Sequence, residues 1–149
     1  MTPDFTGAKA ALFCGASVLV YLRDEKPGLR WPGLWDLPGG GREGNEGPED
    51  CLLRELWEEF GLRLGPERLV WRGVFPSMVE DGRKSVFFGG RLGRDEVRRI
   101  RFGDEGQGWE LMPVGVFLGH PGAVPEMQRR TGIVWAEISV HAGQGPAPL

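Results

Sequence analysis

Three glutamates, Glu55, Glu58 and Glu59, are the side chains whose type and spacing most clearly suggest chemistry. Steps of three and four residues place them on one face of an α-helix. Carboxylates this close to one another repel, and a bound cation relieves the repulsion at neutral pH. Because Mg²⁺ prefers oxygen ligands and is often held by carboxylates together with substrate phosphates, the spacing predicts a metal site that serves a phosphorylated substrate.

The segment around these glutamates concentrates negative charge. Residues 40–62 include seven acidic and two basic side chains, whereas the whole chain has a net charge of −3. Taken alone, such a set of charges more often forms a solvated helix face than a binding site. A Pro-Gly-Gly-Gly loop at residues 38–41 leads into the helix, so the acidic segment begins at a turn.

The helix that carries the glutamates has recognisable ends. Pro48 suits its first turn, Glu49 and Asp50 complement the positive end of the helix dipole, and Gly61 suits a C-terminal cap. The helical period predicts a core-facing side that is formed by Leu53, Leu56, Trp57 and Phe60. The three carboxylates are therefore expected on the side that faces away from the core.

The remaining chain is predicted to be mostly strands. The predicted strands cover residues 10–23, 34–37, 69–79, 85–92 and 109–112, with a hairpin turn at residues 80–83. A weaker helix is predicted at residues 121–130, a solvated arginine-rich loop at 91–101, and a mobile tail at about 142–149. Without a repeat or a linker, we expect one domain over residues 1–149.

Composition limits the class of protein. Hydrophobic residues make up 40% and charged residues 26%, which is ordinary for a soluble globular chain. The net charge of −3 argues against a nucleic-acid polymer as partner. The apolar run at residues 10–22 is too short to span a membrane, and two distant cysteines, Cys14 and Cys51, favour a reducing compartment. We expect a cytoplasmic protein without a membrane partner, and a homodimer is left open.

From Gly40 onward, the order of residues resembles the signature of the Nudix hydrolases, G-x5-E-x7-R-E-U-x-E-E-x-G-U, where U is a bulky aliphatic residue. The matching residues are Gly40, Glu46, Arg54, Glu55, Leu56, Glu58, Glu59, Gly61 and Leu62. All nine specified positions are filled, and Leu-Pro-Gly-Gly at residues 37–40 is also similar to the family's usual approach. The complete motif favours a metal role over a solvated face.

The resemblance implies an α+β fold, a Nudix-type α/β/α sandwich with a mixed central sheet. It also implies hydrolysis of the diphosphate linkage of a nucleoside diphosphate derivative with Mg²⁺, for which Mn²⁺ is a possible substitute. Glu58 and Glu59 would be the principal metal ligands, and Glu55 a further ligand or the group that orients water. Glu46 would be a peripheral metal contributor. Arg54 would hold the carboxylates by a salt bridge. The competing interpretation is that Arg54 is only a solvated ion-pair partner of Glu58.

Substrate-binding candidates lie mostly outside the motif. The backbone of Gly39 and Gly40 would approach the helix and metal closely, because glycine permits the tight loop. Arg23 could hold a phosphate or be a plain surface arginine. Glu105 could supply a metal ligand or general base, or belong to a polar turn. Trp35 could stack on a base, but an aromatic residue near a strand is more often part of the core.

The substrate remains open among three hypotheses. The short chain resembles the small nucleoside-triphosphate pyrophosphatases, so an NTP or dNTP cleaved to a nucleoside monophosphate and pyrophosphate is the leading one. A nucleotide sugar or dinucleotide is the alternative with the same chemistry. A catalytically silent nucleotide-binding regulatory module is the alternative from another class, and the intact Glu55, Glu58 and Glu59 argue against it.

Overall fold

The structure, a computed structural model, describes the backbone of residues 4–144 and the side chains of residues 4–139. Its strands are β1 (Phe5–Cys14), β2 (Ser17–Leu22), β3 (Trp35–Asp36), β4 (Gly39–Gly41), β5 (Leu69–Pro76), β6 (Lys84–Arg91) and β7 (Gly108–Pro113). Its α-helices are α1 (Pro48–Phe60), α2 (Arg94–Arg98), α3 (Val114–Gly119) and α4 (Pro125–Gln144). A short 3₁₀ helix covers Pro66–Arg68.

The strands form one mixed sheet with β1 at its centre. Along the main path the order is β3-β2-β1-β6-β5, while β4 pairs with β1 and β7 pairs with β2. β1 is parallel to β6 and antiparallel to β2 and β4. Successive residues of β1 are apolar toward both faces, with Leu12 packed on one side and Phe13 on the other. A strand that is buried on both faces must be covered by helices on both.

The two faces are covered by different helices. Cys51, Leu52, Leu56 and Phe60 of α1 pack against one face, and Met127, Val134 and Ile138 of α4 belong to the core on the other face. This arrangement confirms the predicted α+β sandwich with a mixed central sheet.

Two predicted elements differ from the structure in their extent. Residues 10–23 form parts of two strands rather than one, because Gly15 adopts a positive φ of 58° and reverses the chain. The predicted hairpin at residues 69–92 is confirmed by the antiparallel pairing of β5 with β6. The predicted arginine-rich loop contains helix α2, whose start is capped by a hydrogen bond from the Gly93 N–H to Glu96 Oε1 at 2.8 Å.

The C-terminal helix is longer than predicted. It covers Pro125–Gln144 rather than residues 121–130, so the first part of the predicted tail is helical. The rest of that predicted tail, residues 145–149, lies outside the described residues. Within the described part of the chain, no helix has the length and apolar composition needed to cross a membrane.

Helix α1 has its predicted ends but a different core-facing side. Gly61 is left-handed with φ of 64°, and its N–H donates to the carbonyl oxygen of Trp57 at 2.9 Å. The prediction that Trp57 faces the core is wrong, since its side chain is 48% exposed and stacks with the guanidinium of Arg63. Cys51 and Leu52 are buried instead, because α1 is rotated toward the glycines of β4.

This rotation gives a stability prediction for two aromatic residues of the same helix. Phe60 is fully buried between the rings of Tyr21 and Phe102, so Phe60→Ala should lower the free energy of unfolding by about 3–5 kcal/mol. Trp57→Ala loses a cation–π contact and should cost less than about 1 kcal/mol. Urea unfolding of both variants measures the difference. Equal losses would contradict the observed rotation of α1.

Candidate active site

A cavity of about 350 Å³ lies where α1 meets β1, β2 and β4. Its walls bring together residues that are distant in the sequence. The lining residues with polar or ionisable side chains are Thr6, Lys9, Tyr21, Arg23, Glu55, Glu59, Ser85, Glu105 and Arg130. Gly39, Gly40 and Gly41 contribute backbone, and Met78, Val79 and Val86 contribute apolar surface. A cavity of this size is typical of a small-molecule site.

The glycines of β4 bring backbone into contact with two carboxylates. The N–H of Gly39 donates to Glu59 Oε1 at 2.9 Å. A Cβ atom at Gly40 would lie 2.5 Å from Glu55 Oε2, so a larger residue would displace that carboxylate. Gly39 also has φ of 130°, a conformation that residues with a side chain rarely adopt. The predicted close approach of the loop to α1 is therefore present on the carboxylate side of the helix.

Arg54 organises the acidic residues next to the cavity. Its guanidinium donates to both carboxylate oxygens of Glu46 at 3.0 and 2.8 Å, to Glu55 at 2.9 Å and to Glu58 at 3.1 Å. A further N–H reaches the carbonyl oxygen of Gly41 at 2.8 Å. The hydrogen bonds from Arg54 lower the pKa of Glu46 to about 2. These contacts make Arg54 more than a solvated partner of Glu58.

Of the predicted metal ligands, Glu55 and Glu59 line the cavity, whereas Glu46 and Glu58 do not. The side chain of Glu58 is 52% exposed and turns toward Arg54. Within the described part of the chain, no three Asp, Glu, His or Cys side chains cluster closely enough to hold a metal. Glu58 therefore lies outside the cavity that Glu55 and Glu59 line, although Arg54 Nη1 donates to both Glu55 and Glu58. The roles of these glutamates as ligands stay predictions.

The two carboxylates that line the cavity are held in an environment that disfavours their charge. The pKa of Glu59 is raised to about 8, chiefly by desolvation and also by the neighbouring Glu55, although Lys9 and the hydrogen bond from the Gly39 N–H oppose the shift. Desolvation likewise raises the pKa of Glu55, despite its hydrogen bond with Arg54. Among the described side chains, no lysine or arginine forms an ion pair with Glu59 within 4.0 Å. Carboxylate oxygens are hard donors that suit a divalent metal, and those of Glu59 are not already paired with a described lysine or arginine.

A second charged group lies beside the cavity, and Arg23 is its only member that was predicted from the sequence as a site residue. The buried carboxylate of Asp36 accepts from Lys9 Nζ at 3.1 Å and from Arg23 Nη1 at 3.0 Å. Desolvation opposes the charge of Lys9, but Asp36, Tyr21 and Glu59 outweigh it and raise the pKa of Lys9. Burial raises the pKa of Tyr21 to about 12. The group of Lys9, Arg23 and Asp36 carries one net positive charge beside the two glutamates.

Of the three candidates that would act through side chains from outside the motif, Arg23, Trp35 and Glu105, two line the cavity. Arg23 lines it, and so does Glu105, which is exposed on the loop between α2 and β7. The hydrogen bond from the Gly106 N–H to Asp24 Oδ2 at 3.0 Å ties this loop to the segment after β2. Trp35 is not a lining residue. It packs against the α4 side of the core, 6.5 Å from the ring of His120.

The residues that sequence reasoning missed are Lys9, Tyr21, Asp36 and Arg130. Lys9 and Asp36 each interrupt an apolar segment, and a charged residue in such a segment is rarely buried without a partner. That signal could have pointed to a buried pair, although their separation of 27 residues hides the partnership. For Arg130, which lies on the predicted weaker helix, the sequence offers no signal that distinguishes it from Arg129.

Comparison with known proteins agrees with this geometry. The family model of the NUDIX domain matches residues 8–130. The chain belongs to the Nudix family. The resemblance seen at residues 40–62 is thereby confirmed, and the protein is a hydrolase that acts on phosphorus-containing anhydrides.

Several known Nudix proteins are similar to this chain. It is 37% identical to an RNA pyrophosphohydrolase of Psychrobacter cryohalolentis over 141 positions, which cover 72% of this chain and 79% of that protein. It is 40% identical to an 8-oxo-dGTP diphosphatase of Proteus vulgaris over 53 residues, 36% of this chain and 47% of the relative. A mutT/nudix family protein of Listeria innocua shares the fold, with a TM-score of 0.71, 21% identity and coverage of 95% and 98%.

The raised pKa of Glu59 predicts how the stability of the metal-free Nudix protein changes with pH. The folded chain keeps the proton up to about pH 8, whereas the unfolded chain loses it near 4.5, so unfolding releases a proton between these values. The free energy of unfolding should therefore fall as pH rises through this range, by at most about 1.4 kcal/mol per pH unit from this group. Above pH 8 the contribution levels off.

Chemical unfolding in the presence of a chelator, from pH 5 to pH 9, measures this slope. Glu59→Gln keeps the acceptor for the Gly39 N–H and removes the titrating group, so its stability curve should be flatter than that of the wild type. Glu67→Gln changes an exposed carboxylate outside the cavity and serves as the control. Identical stability curves for the wild type and Glu59→Gln would show that the pKa of Glu59 is not raised in the folded protein.

Proposed function

We propose that this Nudix protein is a Mg²⁺-dependent pyrophosphatase of nucleoside triphosphates, including deoxynucleotides, that releases a nucleoside monophosphate and pyrophosphate. One observation carries the proposal: a single cavity brings two carboxylates with raised pKa, Glu55 and Glu59, next to the cations of Lys9 and Arg23. Carboxylates suit the metal, and the cations suit the phosphate oxygens. The volume of about 350 Å³ suits one nucleotide.

Glu55 and Glu59 are the residues that would hold the metal. When bound, it supplies neutralisation of the diphosphate charge and activation of water for in-line attack on phosphorus. Glu58 lies one turn from Glu55 on the same helix and is held by Arg54 through a hydrogen bond, so it is the third candidate ligand. Arg54 acts as a positioning residue, because its contacts fix Glu55 and Glu58 relative to the helix.

The cations of the cavity would bind the phosphate tail. Lys9 and Arg23 share the carboxylate of Asp36, so one positive charge remains for the substrate. Both side chains are held by several hydrogen bonds, including one from Arg23 Nε to the carbonyl oxygen of Arg30 at 2.8 Å. Such fixed donors bind a phosphate without further ordering of the side chains.

Glu105 is the proposed general base. It reaches the cavity from an exposed loop, so it can take a proton from the attacking water and pass it to solvent. The same loop is tied to Arg23 through a hydrogen bond from Gln107 Nε2 to the Arg23 carbonyl oxygen at 2.8 Å. The base and one phosphate-binding residue would therefore be positioned together.

A second substrate, 5′-triphosphorylated RNA, is favoured by one observation. The relative that covers 72% of this chain is named an RNA pyrophosphohydrolase. The net charge of −3 weighs against binding of a long polyanion, which leaves the free nucleotide as the first choice. Nucleotide sugars and dinucleotides contain the same diphosphate linkage and would be hydrolysed in the same way. If the protein is instead a silent nucleotide-binding module, it would hydrolyse none of these compounds.

A panel of substrates tests the proposal. We expect phosphate or pyrophosphate release from nucleoside triphosphates with Mg²⁺ and none with a chelator. Loss of a group that only orients a metal ligand typically reduces metal affinity or activity about 10–100-fold. Because Glu59 is proposed as a ligand itself, Glu59→Gln should reduce kcat/KM by more than about 100-fold. Glu67→Gln should be as active as the wild type, and both variants should unfold cooperatively.

The panel also includes a 5′-triphosphorylated RNA oligonucleotide, a nucleotide sugar and a dinucleotide. Faster turnover of the RNA than of any free triphosphate would replace the leading proposal by the second one. Absence of turnover for every substrate with Mg²⁺ or Mn²⁺, together with measurable nucleotide binding, would favour the silent module.

A further inference from the structure

Arg130 is a buried guanidinium on the cavity wall to which the proposed phosphate chemistry assigns no role. It projects from α4, its residue is 3% exposed, and it lines the same cavity as Glu55 and Glu59. Buried arginines are rare unless they are paired, and here Nε donates to Glu126 Oε2 at 2.6 Å. The guanidinium is thus held in a single orientation at the surface of the cavity.

The remaining contacts of Arg130 define what it can still bind. Nη1 donates to Ser85 Oγ at 3.2 Å and Nη2 donates to the Pro76 carbonyl oxygen at 3.0 Å. Each of these nitrogens has two hydrogens, so one N–H on each is without an acceptor among the described residues. The ring of Phe75, whose centre is 4.6 Å from the guanidinium carbon, restricts its rotation further. Arg130 therefore has a pair of donors available in a rigid planar group.

Arg130 is less suited to a phosphate tail than the group of Lys9 and Arg23. Glu126 pairs with Arg130 at 2.6 Å and with Arg129 at 2.7 Å, but the side chain of Arg129 is 55% exposed and lies outside the cavity. On the cavity wall, the charge of Arg130 is therefore balanced by Glu126, whereas Lys9 and Arg23 both line the cavity and share a single carboxylate. A phosphate tail is attracted to Lys9 and Arg23, and Arg130 is left for a ligand that accepts hydrogen bonds.

The wall near Arg130 suits the flat apolar faces of a nucleobase. Met78 and Val79 follow β5, Val86 lies on β6 next to Ser85, and all three line the cavity. An apolar wall with a few fixed polar groups is the usual composition of a site that orients a heterocycle. Guanine presents two adjacent acceptors, O6 and N7, whereas adenine presents N7 beside an amino donor.

We propose that Arg130 determines base specificity by donating two hydrogen bonds to adjacent acceptors of the base, which favours guanine and hypoxanthine over adenine. This inference rests on the proposed function, since it assigns the base of the same nucleotide. The alternative is that Arg130 only ties α4 to β5 and β6 through Pro76 and Ser85.

Substrate analogues distinguish these roles. We expect the wild type to hydrolyse GTP and ITP with kcat/KM about tenfold or more above that for ATP, mainly through a lower KM. Because 7-deaza-GTP lacks one of the two acceptors, it should lose most of this advantage. In Arg130→Met and Arg130→Lys the GTP-to-ATP ratio should fall toward one. The ratio does not depend on the fraction of folded enzyme, so reduced stability alone cannot produce this result.

Arg129→Met is the matched control. Arg129 pairs with the same Glu126 through two hydrogen bonds at 2.9 and 2.7 Å, but it is exposed and does not line the cavity. Its GTP-to-ATP ratio should equal that of the wild type. A wild-type ratio near one, or a preference that survives in Arg130→Met, would overturn the inference while leaving the proposed function intact.

Binding of GMP and AMP, measured by calorimetry, separates this inference from the proposed function. If no triphosphate is hydrolysed, the proposed function fails, yet tighter binding of GMP that is lost in Arg130→Met still supports the role of Arg130. Equal binding of the two monophosphates to the wild type, in the absence of any triphosphate turnover, overturns that role as well.

Discussion

The structure depends on the partial burial of two like charges. The carboxylates of Glu55 and Glu59 come from adjacent turns of α1 and lie against the backbone of Gly39 and Gly40. Desolvation raises the pKa of both groups, so the folded chain must either keep a proton there or place positive charge nearby. Arg54 provides part of that charge from the helix itself. A side chain at Gly40 would displace the carboxylate of Glu55, so the close packing of β4 on α1 requires glycine there.

The sheet supplies the opposing charge. Asp36 is 2% exposed and would be costly to bury alone, but it binds both Lys9 and Arg23. Because the two cations come from β1 and from the end of β2, this carboxylate also joins three parts of the sheet. The negative side of α1 thus faces the cations Lys9 and Arg23 of the sheet across the cavity, and this distribution of charge supports the proposed binding of a metal and a diphosphate.

The parts of this arrangement that were predictable are local in the sequence. The ends of α1 were predicted correctly because a proline in the first turn and a left-handed glycine at the C-terminus act within a few residues. The exposure of Trp57 was not predicted, because it depends on how closely α1 approaches β4. The pairing of Lys9 with Asp36 depends on the register of β1 with β4, which composition does not reveal. Arg130 lies still further from the motif, and it lines the cavity although α4 packs on the face of the sheet opposite to α1.

The division between the local contacts of α1 and the long-range contacts of the sheet and α4 bears on substrate specificity. The proposed metal ligands come from one contiguous helix that packs on the preceding glycine strand, so a single local pattern keeps them together, whereas the proposed base Glu105 comes from a separate loop. The cavity residues that we propose to meet the rest of the substrate come from β1, the end of β2, β6 and α4. Arg130 and Val86 form no hydrogen bond or ion pair with Glu55 or Glu59, so positions of this kind can change while the carboxylates are kept, in agreement with relatives whose names refer to different substrates. We therefore expect substrate choice in this chain to depend on the long-range contacts of the sheet and α4, and the reaction type to depend on the carboxylates of α1.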